Sequence, residues 1–351
     1  MNLKQLATRL NLSVSTVSRA LNGYTDINEE TRQRCIKAAK AAGYIPNSLA
    51  KRLAEGRTAT IAVIVPLLQG EFAPPMYLGF LQGIDEALQE RGMDALVTMG
   101  QDPPNELRPF RRLIEAKRVD GLIFGRPRRD DSRIKFLMRK DIPFVVIGQS
   151  PSSKEFPFVD VDRHVAARDA AVFLYRLGHR HIAMLNTPEQ FVFSQMARAG
   201  FVAGMTTCGA LVDEAMIVDA GFGEGSGFVA AAHLLGHPDP PTAFVCDNDL
   251  LSIGCMRAMR ARGIRPGIDG AVVSCEDNQP ARLVDPALTA FSAPAVEVGR
   301  KAVELLLRSI AGEPVSTLHH VFEPRLIERG THCTMQATPD RVRKMPAKHR
   351  I

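Results

Sequence analysis

The sequence predicts an α/β protein in which a small helical head precedes a larger body of parallel sheet layers. Three observations carry that reading. Leu3, Leu6, Ala7 and Leu10 recur at helical spacing, and Val17, Ala20 and Leu21 resume the pattern after a break. From Ala59 onward, short apolar runs alternate with amphipathic helices, which argues for parallel α/β layers. Charge divides at the same place: residues 1–57 hold 10 Lys/Arg against 4 Asp/Glu, whereas residues 58–335 hold 29 against 33. A length of 351 residues exceeds one typical domain of roughly 100–200, so two or three units are expected.

Residues 2–9 read as a first short helix, which "NLS" then breaks. Ser13 is placed to cap a second helix running to about Asn22, with Val17, Ala20 and Leu21 inward. Its outward face carries Val14, Ser15, Ser18 and Arg19, where surface helices usually carry Glu and Lys. Two short helices joined by a tight turn make a helix-turn-helix, whose second helix enters a major groove roughly 12 Å wide. Small hydroxyl side chains there bond phosphates or base edges, and arginine bonds guanine bidentately. A third helix follows, capped by Asn28, with Ile36, Ala39 and Ala42 inward and its end at Gly43. A basic head on a mildly acidic body fits a polyanion partner. An ordinary small helical bundle with a solvated charged face also fits the spacing.

In the body, "TIAVIVP", "DALVTMG", "DGLIFG", "PFVVIG", "HIAMLN", "TAFVCDN" and "GAVVSCED" read as buried strands. Ligands of such folds bind at the carboxyl ends of the strands. Catalytic motifs are missing from the pattern. "AGFGEGSGF" fails the dinucleotide fingerprint because Ser226 replaces its third glycine, and it follows no clear strand. There is no P-loop lysine and no G-x-S-x-G elbow. His179 and His181 are spaced for a metal pair but fall between a helix and a strand, which favours a structural role. The six scattered cysteines read as buried reduced thiols of a cytoplasmic protein. No apolar run reaches the ~18 residues of a membrane span, and no signal peptide opens the chain. No cofactor or metal is expected, and no enzymatic activity.

The run "LKQLATRLNLSVSTVSRALNG", then "INEETRQRCIKAAKAAGYIPNSLAKRLAEGRTATIAVIVP", resembles the head of the lactose-repressor (LacI/GalR) family. The likeness covers nearly the whole chain, short of the tail beyond about residue 335. It implies a head over 1–46, a hinge over 47–57, and an effector-binding and dimerisation domain over 58–335; residues 336–351, outside the likeness, read from their own charge as a basic, disordered tail. Within the body it implies two periplasmic-binding-protein-like subdomains, with the chain crossing near 160, 290 and 320. Val14, Ser15 and Arg19 would read the major groove of double-stranded operator DNA, while Thr16, Ser18 and Asn22 contact or orient phosphates. In the hinge, Asn47 and Ser48 can cap two turns bearing Leu49, Ala50 and Leu53 on one side, too short a helix to stand alone. By the resemblance, Leu53 wedges into the minor groove and Lys51 and Arg52 suit neighbouring phosphates.

Sugar sites combine aromatic faces with carboxylates and amides. Aligned with the family, Phe222 takes the place of a stacking aromatic, Asn248 that of a hydroxyl-bonding amide with Asp249 beside it, and Glu276 that of an aspartate. Met76 and Tyr77 fall on the pocket's N-terminal wall, and Arg126 and Phe193 on two further loops. The family's effector-gripping arginine is Ala197 here. Arg198 would point about 100° away on a helix, which leaves Arg126 or Arg163 to supply the missing donors and favours a neutral effector. The opening "MNLKQL", with no basic arm, is similar to α-glucoside-type repressors. The expectation is a homodimeric repressor controlled by a small sugar. A sugar-binding or sugar-modifying enzyme with a fused head, and a corepressor-dependent regulator, are the alternatives.

Overall fold

A computed structural model of the chain describes residues 3–21, 24–43, 58–66, 76–101 and 104–335. The chain divides after Thr58 into two compact units. In the first, α1 (Leu3–Leu10), α2 (Val14–Leu21) and α3 (Glu29–Ala41) enclose Leu6, Ala7, Val17, Ala20, Cys35 and Ala39. Asn11 turns the chain between α1 and α2 with φ 52°, a left-handed conformation that asparagine tolerates better than most residues. Asn28 caps α3 by accepting from the Thr31 N–H at 2.8 Å. Ala39 of α3 is buried as the sequence suggested, but Cys35 takes the inward place expected of Ile36, which is 41% exposed. Ala42 is a half-buried C-cap and no part of the core.

The second unit begins with β1 (Thr60–Val65), α4 (Met76–Gln89), β2 (Asp94–Met99), α5 (Arg108–Glu115), β3 (Gly121–Gly125), α6 (Ser132–Arg139), β4 (Phe144–Ile147) and β5 (Phe158–Val161). A second series follows: α7 (Arg163–Arg176), β6 (Ile182–Asn186), α8 (Val192–Thr207), β7 (Ile217–Asp219), α9 (Glu224–Leu234) and β8 (Ala243–Cys246). It continues with α10 (Asp249–Ala261), β9 (Ala271–Ser274), α11 (Gln279–Leu283) and β10 (Thr289–Ser292). The chain then adds α12 (Ala295–Ile310), β11 (His319–Phe322) and β12 (Arg325–Ile327).

Two six-stranded sheets result, ordered β11-β5-β4-β3-β1-β2 and β12-β10-β9-β8-β6-β7. Every recorded pairing is parallel except that of β10 with β12. Helices cover both faces of each sheet, which is why the strands read as continuous apolar runs. On β1, Ile61, Val63 and Val65 enter the core under α4 and α12, while Ala62 and Ile64 enter the one under α5 and α6. β2 is an exception to its expected burial. It is an edge strand, and Val97 and Met99 are exposed. The chain passes between the sheets three times, at 161–163, 292–295 and 322–325. β3, β4, β6, β8 and β9 end where these passages lie, and residues that follow each of them line one cleft.

Helix pairs pack closely enough to exclude side chains at their crossings. A Cβ on Gly227 of α9 would lie 2.5 Å from the Leu251 carbonyl of α10, and one on Gly254 would lie 2.1 Å from the Glu224 carbonyl. Gly225, two residues before Gly227, faces open space. Gly227→Ala should therefore cost about 1–3 kcal/mol through overpacking. Gly225→Ala should instead be neutral or stabilise by up to about 1 kcal/mol through helix propensity. Thermal unfolding of the two variants checks this, and equal effects would refute the close approach.

Candidate functional site

A cavity of about 900 Å3 opens between the two sheets at the carboxyl ends of their strands. Its lining includes Met76, Tyr77, Arg126, Phe193, Phe222, Asn248, Asp249 and Glu276, so all eight cavity residues singled out from the sequence meet in one place. Met76 and Tyr77 open α4; Arg126 follows β3; Phe193 lies in the first turn of α8. Phe222 sits in the loop between β7 and α9, Asn248 and Asp249 follow β8, and Glu276 follows β9. That glycine-rich loop does follow a strand, contrary to the sequence reading, but β7 is only three residues long and leaves little signal.

Phe222 is buried, and the Arg126 guanidinium carbon lies 4.0 Å from its ring centroid. This cation–π contact joins loops of the two sheets. Phe191 lies 5.5 Å from both Phe193 and Phe222, forming an aromatic wall. Arg126 keeps φ 55°, and its carbonyl accepts from Arg133 at 2.8 Å, which ties the loop to α6.

Arg163, the first residue of α7, is 6% exposed. It donates to the Asp247 carbonyl at 3.0 Å and pairs with the Glu276 carboxylate. The Asp247 carboxylate stands 3.7 Å away. Burial disfavours the charged guanidinium, but Glu276 and Asp247 outweigh it and hold Arg163 firmly protonated. With Ala197 fully buried and Arg198 paired to Glu214, the arginines that line the cavity among the described residues are Arg126, Arg163 and Arg282.

Asn248 is largely committed to the fold. Its amide oxygen caps α10 by accepting from Leu251 at 2.7 Å, and its nitrogen donates to the Phe222 carbonyl at 3.1 Å. It thereby positions Phe222, leaving one N–H for other work. Asp249 is 1% exposed, and although the Asn278 amide and the Leu250 and Asp249 backbone N–H groups lie near it, none reaches either carboxylate oxygen in good hydrogen-bond geometry. Burial foremost, and then the Glu276 charge, push its carboxyl up to about 7. The Asn278 amide and nearby backbone N–H groups oppose this only in part. Asp160, at the end of β5, is pushed up to about 6 by burial, against hydrogen bonds from Gln149 and Val161.

The sequence reading passed over Asp160, Thr187 and Asp247, which also line the cavity. All three stand at or just beyond strand carboxyl ends, so that rule applied to β5, β6 and β8 finds them. Asp247 accepts from the Thr187 hydroxyl and is raised by burial, with Arg163 pulling the other way. His179 is fully buried, bonded to Thr242 and to the Cys333 carbonyl at 3.0 Å each, which is a structural role. Among the described residues there is no group of three or more potential metal ligands, and no helix is long and apolar enough to cross a membrane. All six cysteines are unpaired; Cys208 and Cys333 are half-buried and not enclosed as expected.

On the head, Ser13 Oγ accepts from the Thr16 N–H at 3.0 Å and caps α2. It also meets the hydroxyls of Ser15 at 2.8 Å and Thr16 at 2.7 Å. Val14, Ser15 and Arg19 are exposed on α2, with Ser18 half-buried beside them. Asn22, Lys51, Arg52 and Leu53, and with the last three the whole hinge, lie outside the described residues.

A small-residue recognition helix on one unit, and a ligand-sized cleft between two parallel sheets in the other, define a two-part DNA-binding regulator. Residues 2–47 match the model of bacterial regulatory proteins, lacI family, and residues 171–332 match a periplasmic binding protein-like domain. The transcriptional regulator AglR of Rhizobium meliloti (strain 1021) is 38% identical over 280 residues, covering 80% of this chain and 78% of that protein. The repressor CytR of Escherichia coli (strain K12) is 29% identical over 330 residues, 94% of this chain and 95% of its own. Among solved structures, a complex of the regulator CelR with cellobiose superposes with TM-score 0.73 at 29% identity, covering 94% of this chain and 99% of that one. The lac repressor dimer bound to operator shares the fold, with TM-score 0.81 at 24% identity, over 95% of this chain and 99% of that one. The chain belongs to the lacI family of bacterial regulatory proteins and is a DNA-binding transcriptional regulator.

The unpartnered Asp249 carboxyl makes the fold sensitive to pH. In an unfolded chain an aspartate keeps its proton only below about 4, whereas folded Asp249 keeps it to about 7. The native state thus binds more protons between those values, and its stability falls as pH rises through that window and levels above it. Asp249→Asn cannot ionise, so the loss of thermal stability between pH 5 and pH 8 should shrink in this variant. Asp160 and Asp247, also raised by burial, act with the same sign and keep a remainder, while His179, lowered by burial, acts with the opposite one. An undiminished loss would place the titration elsewhere.

Proposed function

We propose that the cavity binds a neutral sugar larger than one ring, and that this ligand sets the grip of a homodimeric repressor on operator DNA. The observation that carries this reading is the unpartnered Asp249 carboxyl, set with Asp247 and Glu276 opposite an aromatic wall. Excess acceptors suit a ligand rich in hydroxyl donors, and ring faces suit its C–H surfaces. The volume of about 900 Å3 falls near the top of the range for small-molecule sites, which supports a disaccharide or longer. The solved complex of CelR with cellobiose, a relative at 29% identity, supports the same class. An α-glucoside remains within it. Phe222, Glu276 and Asp249 would contact the sugar, with Met76, Tyr77, Arg126 and Phe193 enclosing it and Asn248 holding the Phe222 loop.

On the head, Val14, Ser15 and Arg19 would read bases, and Thr16, Ser18 and Asn22 would meet or orient phosphates. Exposed Val97 and Met99, two residues apart and so on one face of the β2 edge, support pairing of two copies. Pairing would give each head one half-site of a near-palindrome. Sugar would act by linkage through the hinge over 47–57, where Lys51 and Arg52 meet phosphates and Leu53 enters a base step. Operator must then weaken sugar binding by the same factor. Six unpaired cysteines support a reducing, cytoplasmic setting, and binding without catalysis is the role proposed for the cavity.

The test is a mapped operator titrated with the chain against a panel of sugars, cellobiose and α-linked disaccharides included. One sugar should change operator affinity, and Phe222→Ala should raise the concentration required by at least about tenfold, the effect of losing one well-packed aromatic contact. Operator affinity without sugar should stay within about twofold in that variant. A response unchanged by Phe222→Ala would remove the cavity from the effector role. Tighter operator binding with sugar would make it a corepressor.

A further inference from the structure

We propose that Asp26 and Tyr24 brace the Arg19 guanidinium for base reading, which makes Asp26 a specificity-determining residue lying outside the recognition helix. The inference rests on the proposed role of Arg19 as a base reader. Arg19 stands in the last turn of α2. Its Nη2 lies 2.7 Å from the Asp26 carboxylate, with both side chains about half exposed. The Tyr24 ring centroid lies 5.1 Å from its Cζ, within cation–π range.

The turn that carries the brace is itself anchored. The Tyr24 N–H donates to the Arg19 carbonyl at 3.1 Å, closing the turn onto the helix. From α3, Arg32 donates to the carbonyls of Tyr24 at 2.9 Å and Ile27 at 3.3 Å. Arg32 is fixed in turn by Glu29 at 2.7 Å, and Ile27 packs against the head core. Tyr24 and Asp26 are thus held against Arg19 from both flanks.

A carboxylate on a surface that meets phosphates weakens binding by like-charge repulsion. Its benefit is orientation. An unbraced arginine loses rotamer freedom on docking, and it can swing from a base edge to a nearby phosphate. Here Asp26 engages one part of the fork and Tyr24 covers a face. The five-donor guanidinium keeps N–H groups for O6 and N7 of guanine. The same negative charge penalises rotamers that carry the guanidinium away. Asp26 therefore trades general affinity for selectivity.

The test compares the full chain with Asp26→Asn, Arg19→Ala and the double variant, on three duplexes: the mapped operator, the operator changed at the Arg19 base pair, and a random sequence. Asp26→Asn should lower the ratio of operator to random affinity about fivefold, within the range for coupled neighbours. That change should vanish in the Arg19→Ala background, and the altered base pair should cost less than in the parent. Tyr24→Phe, which keeps the ring, should leave the ratio unchanged, whereas Tyr24→Leu should lower it. Far-UV helicity and thermal unfolding confirm that each variant is folded. If Asp26→Asn strengthens binding to operator and random DNA by one common factor, Asp26 only repels phosphates and the brace is overturned. An undiminished effect in the Arg19→Ala background overturns it as well. Equal losses on operator and random DNA for Arg19→Ala alone would instead remove the base reader, a separate failure that takes the brace with it.

Discussion

Arg163 holds the point at which the chain first passes from one sheet to the other. Its guanidinium is nearly enclosed and draws in the Glu276 carboxylate and the Asp247 carbonyl from two strand-end loops and the Met76 sulfur from the start of α4. A buried cation of this kind adds little net stability, because desolvation consumes most of the Coulombic gain. What it supplies is position. Without it Glu276 and Asp247 would face each other uncompensated, and the loops after β8 and β9 would lose their common partner. On α8, by contrast, Ala197 is packed into the core and Arg198 pairs with Glu214. Arg163 stands at a crossover between the sheets, so Glu276 is tied by its ion pair to the segment that joins them.

Local patterns made the head and the sheets legible in the sequence. Ser13 and Asn28 act as caps because their side chains reach the third N–H of a helix, a relation visible in the chain itself. The continuous apolar runs became strands because both faces are covered. Where the reading failed, the deciding contact was distant. Ile36 fits the helical spacing of an inward stripe, yet it is Cys35, one residue earlier, that packs with Leu6, Val17 and Ala20 in the head core. β2 looked as buried as its neighbours, since nothing in "DALVTMG" announces that it ends a sheet. Asn248 was read for its amide, but that amide is taken up by α10 and Phe222. Asp249 was named for its place beside Asn248, while its lack of any partner is a fact of three dimensions.

The cavity and the scaffold divide the chemistry between them. Helix pairs such as α9 and α10 meet backbone to backbone through Gly227 and Gly254, and leave no room for variation. The loops beyond the strand ends carry the charges and rings, and their side chains are fixed chiefly by one another: Arg126 by Phe222, Glu276 by Arg163, Asp247 by Thr187. Burial raises Asp160 to about 6 and Asp249 to about 7, so Asp249 carries only part of its charge near neutrality and this acid-rich space repels itself less. A ligand that donates hydrogen bonds to Asp249 would stabilise its charged form and release a proton on binding.

The threefold passage of the chain between the sheets bears on how the protein is made. Neither sheet is built from one continuous stretch, since β11 completes the first and β12 the second. The first core draws Val298, Ala302, Val303, Leu305, Leu306 and Leu318 from segments that follow the entire second series of strands. Domains usually fold as they leave the ribosome, the N-terminal one first. Here the strands synthesised first must wait, with one face of their sheet uncovered, until α12 and β11 emerge. The first core therefore cannot close before those segments are made, and a chain stopped anywhere before residue 318 carries an open sheet in place of a finished half.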